Sequence, residues 1–112
     1  MIGLLEYAVY VARKGARDSK QYLLGAVAIR NDGCIVHARN AASAFPSPRG
    51  HAEVRLMQKA GRHAVVYVAR VRRDGGIVLA RPCGTCIAIM RAHNVKRIYY
   101  TISEKEYGVI IL

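Results

Sequence analysis

Two short segments, His51-Ala52-Glu53 and Pro82-Cys83-Gly84-Thr85-Cys86, limit the fold of this chain more than any other feature. Together they hold three metal-ligating side chains, one imidazole and two thiols, and a carboxylate able to move protons. They stand roughly thirty residues apart, so no single helix or hairpin joins them. Each follows a strand-like stretch and opens a helix-like one. A fold that uses both must aim two helix starts at a common point.

The hydrophobic pattern supplies such a frame. Ile2–Lys14 carries Leu4, Leu5, Ala8, Val9, Val11 and Ala12 in a helical stripe, which Gly15 ends. Arg17–Lys20 is polar and loop-like. Leu23–Arg30 and Cys34–Arg39 read as strands joined at Asn31-Asp32-Gly33, a hairpin turn. Cys34, in an apolar stretch, is expected to be a small core residue. Asn40–Gly50 is a loop leading to His51. His51–Ala60 is a helix with Gly61 beyond its end. Ala64–Arg72 is a central strand, broken by Asp74-Gly75-Gly76, and Ile77–Ala80 is a short extended piece. Cys83–His93 is a helix that Asn94 terminates, and Val95–Thr101 and Val109–Leu112 are strands. About eight residues separate Tyr100 from Val109. A parallel crossover needs about a dozen or more, so the last two strands should be antiparallel neighbours. The alternation of helices and strands predicts an α/β class.

The 112 residues suit a single domain, residues 1–112, and 53% of them are hydrophobic. A core this small leaves much surface exposed, and a homo-oligomer is expected. No apolar run approaches the ~18 residues of a membrane span. An acid at Glu6 comes early for a secretory signal, so a soluble, intracellular (cytoplasmic) protein is expected. Three cysteines, with one C-x-x-C pair, argue against a disulfide scaffold. The net charge is +11, and 13 of the 18 basic residues are Arg. That balance suits a phosphate-bearing partner, whether a nucleotide or a polynucleotide.

Within the motifs, Cys83 and Cys86 are three residues apart, which on a helical turn puts both sulfurs on one side. Pro82 fits a helix start, and the helix N-terminus is expected to lower the thiol pKa values. His51, Cys83 and Cys86 make three ligands for one Zn²⁺ and leave a fourth position for water. Glu53 stays outside the ligand set as the proton carrier. The alternative is a closed, non-catalytic site completed by His37, His63 or His93. His63 and His93 read otherwise as surface or helix-capping residues.

H-x-E followed by P-C-x-x-C is the signature of zinc-dependent nucleobase deaminases. With Gly25-Ala26-Val27-Ala28-Ile29 and the Asn40 loop, these residues make the chain resemble the cytidine/deoxycytidylate deaminase superfamily over most of its length. The resemblance implies a three-layer sandwich with a five-stranded mixed sheet flanked by helices, and zinc between the two motif helices. It implies that His51, Cys83 and Cys86 bind zinc, that Glu53 shuttles protons, and that Asn40 holds the sugar or base. The backbone N–H of Ala52 would face the base, and Phe45 could pack on it. The superfamily divides by its last strand. The short final connection matches the division with an antiparallel strand, which includes the free cytidine deaminases. A histidine as first ligand looks more like the other division or the nucleic-acid-directed members.

The leading expectation is hydrolytic deamination of a cytosine moiety in a nucleoside or nucleotide, with Arg49 and Arg81 beside the motifs to meet a phosphate. The alternative is a deaminase acting on a base in single-stranded DNA or RNA, including adenosine in tRNA. The charge and the run Arg70, Arg72, Arg73 support it, whereas the absence of Trp and the single Phe speak against a stacking platform. A third reading is a zinc-stabilised nucleic-acid-binding module without catalysis, which would have no need of Glu53.

Overall fold

The computed structural model describes residues 3–14, 22–40, 52–72 and 74–112. Along the chain run α1 (Gly3–Arg13), β1 (Tyr22–Ile29), β2 (Ile35–Arg39), α2 (Ala52–Ala60), β3 (Val65–Arg72), β4 (Ile77–Val78), α3 (Gly84–Ala92), β5 (Arg97–Thr101) and β6 (Tyr107–Ile111). The expected elements are all present, with ends shifted by a residue or two. Gly15, Arg17–Lys20 and the loop at 41–50 lie outside the described residues. None of the described helices is long and apolar enough to cross a membrane.

Five strands form the sheet path β2-β1-β3-β5-β6. These are the expected five strands, and a short sixth adds to them off the path. The extended piece at Ile77 pairs with β3, Val71 opposite Ile77 and Arg70 opposite Val78, so the sheet has six strands. Among the described residues, only β3 and β5 run parallel, joined through α3. β5 and β6 are antiparallel, Tyr99 opposite Val109, as the short connection required.

The turn residues behave as their chemistry dictates. Gly33 takes φ 89° in the β1–β2 hairpin. Asp32 Oδ1 accepts the Cys34 N–H at 3.0 Å, and that backbone donor is the main reason the Asp32 carboxyl lies below its usual pKa. Gly61 (φ 68°) and Asn94 (φ 56°) take the left-handed conformation just beyond α2 and α3. Cys34 is exposed, not a core residue, because it sits where the chain leaves this turn, ahead of the first β2 pair at Ile35.

Three layers result. On one face, α1 buries Ala8, Val9, Val11 and Ala12 against Leu23, Val27, Ala69 and Val71. Gly25 makes this closeness possible, since a Cβ there would run into the α1 backbone at Ala8 and Ala12. On the other face, α2 and α3 bury Leu56, Met57, Ala60, Cys86 and Met90 against Ala26, Ala28, Val66, Val68 and Ile98. Alternate residues of β1 and β3 therefore serve opposite cores, as the two-residue period of a strand requires.

Thr101, fully buried, ties three strands together at the end nearest the second motif. Its hydroxyl donates to the Val78 carbonyl at 2.8 Å and accepts the Arg70 N–H at 3.3 Å. Its own carbonyl accepts the Ala80 N–H at 2.9 Å. The chain entering Pro82-Cys83 is thereby anchored to β5. Thr101→Val keeps the shape but removes both side-chain bonds. It should lower stability by about 2 kcal/mol, read from urea denaturation, and an unchanged midpoint would contradict this clamp.

Candidate active site

Both motifs reach one point through the packing of α2 against α3. Glu53 stands in the first turn of α2 and is only 4% exposed. Cys83 is the exposed N-cap of α3, with extended backbone (φ −71°, ψ 165°), and Cys86 lies one turn on, fully buried. The Cys86 thiol is in hydrogen-bonding contact with Cys83 and within electrostatic reach of Glu53. The expected convergence of these three residues is thus observed. His51 immediately precedes α2 but lies outside the described residues, as do Phe45 and Arg49.

At Cys86 the thiol chemistry differs from the expectation of a lowered pKa. Burial pushes Cys86 well above its ordinary value, and the neighbouring Glu53 and Cys83 push in the same direction. The helix N-terminus does not offset desolvation together with nearby negative charge. A divalent cation would oppose these influences, because it favours the thiolate form as its ligand. Among the described residues, the two thiols with a carboxylate near Cys86 are donors of the kind that suit zinc, although no three His, Cys, Asp or Glu side chains there form a metal-holding group. The other histidines stand elsewhere. His37 lies against Tyr7, His63 is exposed at φ 66°, and His93 caps α3 with Nδ1 2.9 Å from the Ile89 carbonyl. Among the described residues, none of them joins the cysteines in a metal-holding group.

Glu53 and Cys83 open into a cavity of about 160 Å³ whose walls include Leu24, Ala80, Arg70 and Arg81. Asn40, at the end of β2, accepts the Leu24 N–H through Oδ1 at 3.1 Å, while its own N–H donates to the Leu24 carbonyl at 3.2 Å. Its side chain therefore pins the wall residue Leu24. Ala52 opens α2 with its side chain fully buried, leaving the backbone N–H of a helix first turn as its polar contribution.

Arg81 is held at the rim. Its Nη1 donates to the Tyr100 hydroxyl at 3.1 Å, and its guanidinium lies 5.7 Å from the Tyr100 ring centre. That ring lies across β6 over Gly108, where any Cβ would strike it. Arg70 is the residue whose place sequence reasoning missed. It reads in sequence as part of a basic run with Arg72 and Arg73, yet it is half-buried and lines the cavity with Glu53. The signal is its phase, since Arg70 alternates with Val66 and Val68, both of which face the α2–α3 core.

The model of the family described as "Cytidine and deoxycytidylate deaminase zinc-binding region" matches residues 3–102. Similar solved structures include a cytidine deaminase from Burkholderia pseudomallei, at 20% identity and a TM-score of 0.70, covering 96% of this chain and 89% of that one. One from Mycobacterium leprae has 19% identity and a TM-score of 0.59, with coverages of 94% and 88%. One from Mycobacterium tuberculosis has 20% identity and a TM-score of 0.57, with coverages of 87% and 80%. No curated protein sequence matches the chain.

The raised Cys86 pKa sets a pH dependence for the metal-free protein. Unfolding frees the thiol to ionise at its ordinary value of 9.0, whereas folding keeps it protonated. The folded state binds this proton more tightly, so its contribution is fully present below pH 9 and declines above it. Urea midpoints of metal-free protein should fall as pH rises beyond that point, and Cys86→Ala should flatten the decline. An equal slope in both proteins would contradict the assignment.

Proposed function

Because the chain belongs to the cytidine and deoxycytidylate deaminase family, we propose that it hydrolyses the exocyclic amino group of a cytosine moiety in a nucleoside or nucleotide, with one zinc held by His51, Cys83 and Cys86. The observation that carries this reading is the meeting of Glu53 with Cys83 and Cys86 across the α2–α3 contact, beside a small polar-walled cavity. A purely structural zinc site has no use for that buried carboxylate.

When bound, the metal acidifies a water and supplies the nucleophile. A carbon–oxygen bond forms at C4 of the base, the carbon–nitrogen bond to the amino group breaks, and ammonia leaves. Glu53 takes one proton of the attacking water on a carboxylate oxygen and delivers it to the ring nitrogen, then takes the second from the new C4 hydroxyl, which becomes the carbonyl, and delivers it to the departing amine. Its burial keeps bulk water from this relay. Asn40 holds Leu24 in place through Oδ1, and its amide nitrogen is the group that can turn to the sugar or base. The Ala52 N–H, at the positive end of α2, faces the base. Phe45 packs on the base, and Arg49, which stands beside the first motif in sequence, meets a phosphate. Arg81, fixed on Tyr100 at the rim, meets a 5′-phosphate as a bidentate donor. Arg70 adds a second guanidinium inside the cavity.

Ammonia release from cytidine, deoxycytidine and their monophosphates tests the reading. Glu53→Ala should lower kcat by about 10²-fold or more while zinc content stays at one per chain. Turnover that survives this change would remove Glu53 from the mechanism. Arg81→Ala should raise KM for the monophosphates and leave KM for the nucleosides nearly unchanged. An equal rise for both would show that Arg81 does not read the phosphate.

A further inference from the structure

On the side of α2 away from Glu53 lies a second cavity of about 530 Å³ that none of the motif residues lines. Glu53 faces inward, whereas Arg55, two residues on and hence about 200° around the helix, is exposed. The cavity runs along the β2 edge between α1 and α2. Lys14, Arg39, Arg55 and Lys59 line it, and no carboxylate does among the described residues. Neither of the ion pairs found among those residues, Arg30–Asp32 and Arg72–Asp74, involves any of the four. Four cations thus share one groove without a carboxylate partner among the described residues, in a chain that already carries +11.

Two of the cations are pre-positioned. Arg39 Nη1 donates to the Lys14 carbonyl at 2.6 Å, and Lys59 Nζ donates to the His37 carbonyl at 2.9 Å. A guanidinium has five donors and an ammonium three, so each keeps several for an anion. An aromatic wall stands opposite. Tyr7 and Tyr10, one turn apart on α1, lie nearly parallel at 15° with centres 6.2 Å apart. Tyr10 is 55% exposed, and the Lys14 ammonium sits 5.3 Å from its ring centre. An exposed ring beside a row of cations matches a planar base linked to phosphate.

We propose that this groove is a second binding site, separate from the catalytic cavity, for a nucleotide, free or within a single strand, with phosphates on Arg39, Arg55 and Lys59 and the base stacked on Tyr10. The sequence run Arg70, Arg72, Arg73 is not its basis, since Arg70 belongs to the catalytic cavity.

The test is fluorescence anisotropy of zinc-loaded protein with a labelled single-stranded 12-mer of deoxythymidine, in competition with cytidine monophosphate and with inorganic pyrophosphate. Circular dichroism confirms the fold of each variant. Arg55→Glu combined with Lys59→Glu should weaken 12-mer binding at least tenfold. It should also reduce the salt slope by about 1.4, at roughly 0.7 for each strand phosphate no longer neutralised. Tyr10→Ala should weaken binding severalfold without changing that slope. Competition by the mononucleotide at equal phosphate would assign the groove to free nucleotides, and competition by strands alone would assign it to nucleic acid. Both outcomes support the site. It is overturned if the folded double variant binds as the parent does, if the parent binds no probe at low salt, or if Arg81→Ala abolishes 12-mer binding while the groove variant does not. None of these readouts needs turnover, so failure of the deaminase reading would be seen separately.

Discussion

The chemistry of this molecule depends on the contact between the first turns of α2 and α3. That contact brings together the buried Glu53 carboxylate, the buried Cys86 thiol and the exposed Cys83 thiol, an arrangement that resists ionisation of Cys86. The fold holds it because both helices share one apolar core with the sheet, through Leu56, Met57, Cys86 and Met90. Small residues on the opposing strands, Ala26, Ala28 and Ala38, let α2 lie close to the sheet. The electrostatic conflict at the helix starts is thus imposed by hydrophobic packing further along the same helices. A cation among the sulfurs would turn that conflict into ligation.

The two faces of the sheet divide the work. The α2–α3 face carries the cavity lined by Glu53 and Cys83, and β4 and Thr101 secure the chain that leads into Cys83. The α1 face carries no motif residue. It contributes Tyr7, Tyr10 and Lys14 to a groove at the β2 edge, where the sheet ends and cations from both layers meet. An edge strand lined with Arg and Lys also discourages pairing with another chain, so the same charges serve the fold and the proposed ligand.

Much of the fold was legible because local chemistry and global topology agree. The Asn31-Asp32-Gly33 turn, the terminators Gly61 and Asn94, and the short link before β6 each permit few conformations, and each appears where its chemistry places it. What was not legible came from tertiary context. Cys34 reads as core by its neighbours but sits where a turn exits. The two-residue β4 is too short to show a period. The raised Cys86 pKa depends on burial by an element more than thirty residues away. Arg70 was legible in principle, since its phase with Val66 and Val68 points it inward, but its charge and basic neighbours suggest surface. The groove is assembled from three distant segments and leaves no motif.

In the proposed mechanism the starts of α2 and α3 carry an open zinc site with Glu53 outside the ligand set. X-ray absorption at the zinc edge of the loaded protein tests it most directly. The expected first shell holds two sulfurs at about 2.3 Å, one imidazole nitrogen at about 2.0 Å and one further light atom from water, and Glu53→Gln should leave it unchanged. A shell with two imidazoles, one lacking either sulfur, or one that changes when Glu53 is replaced would contradict the open site.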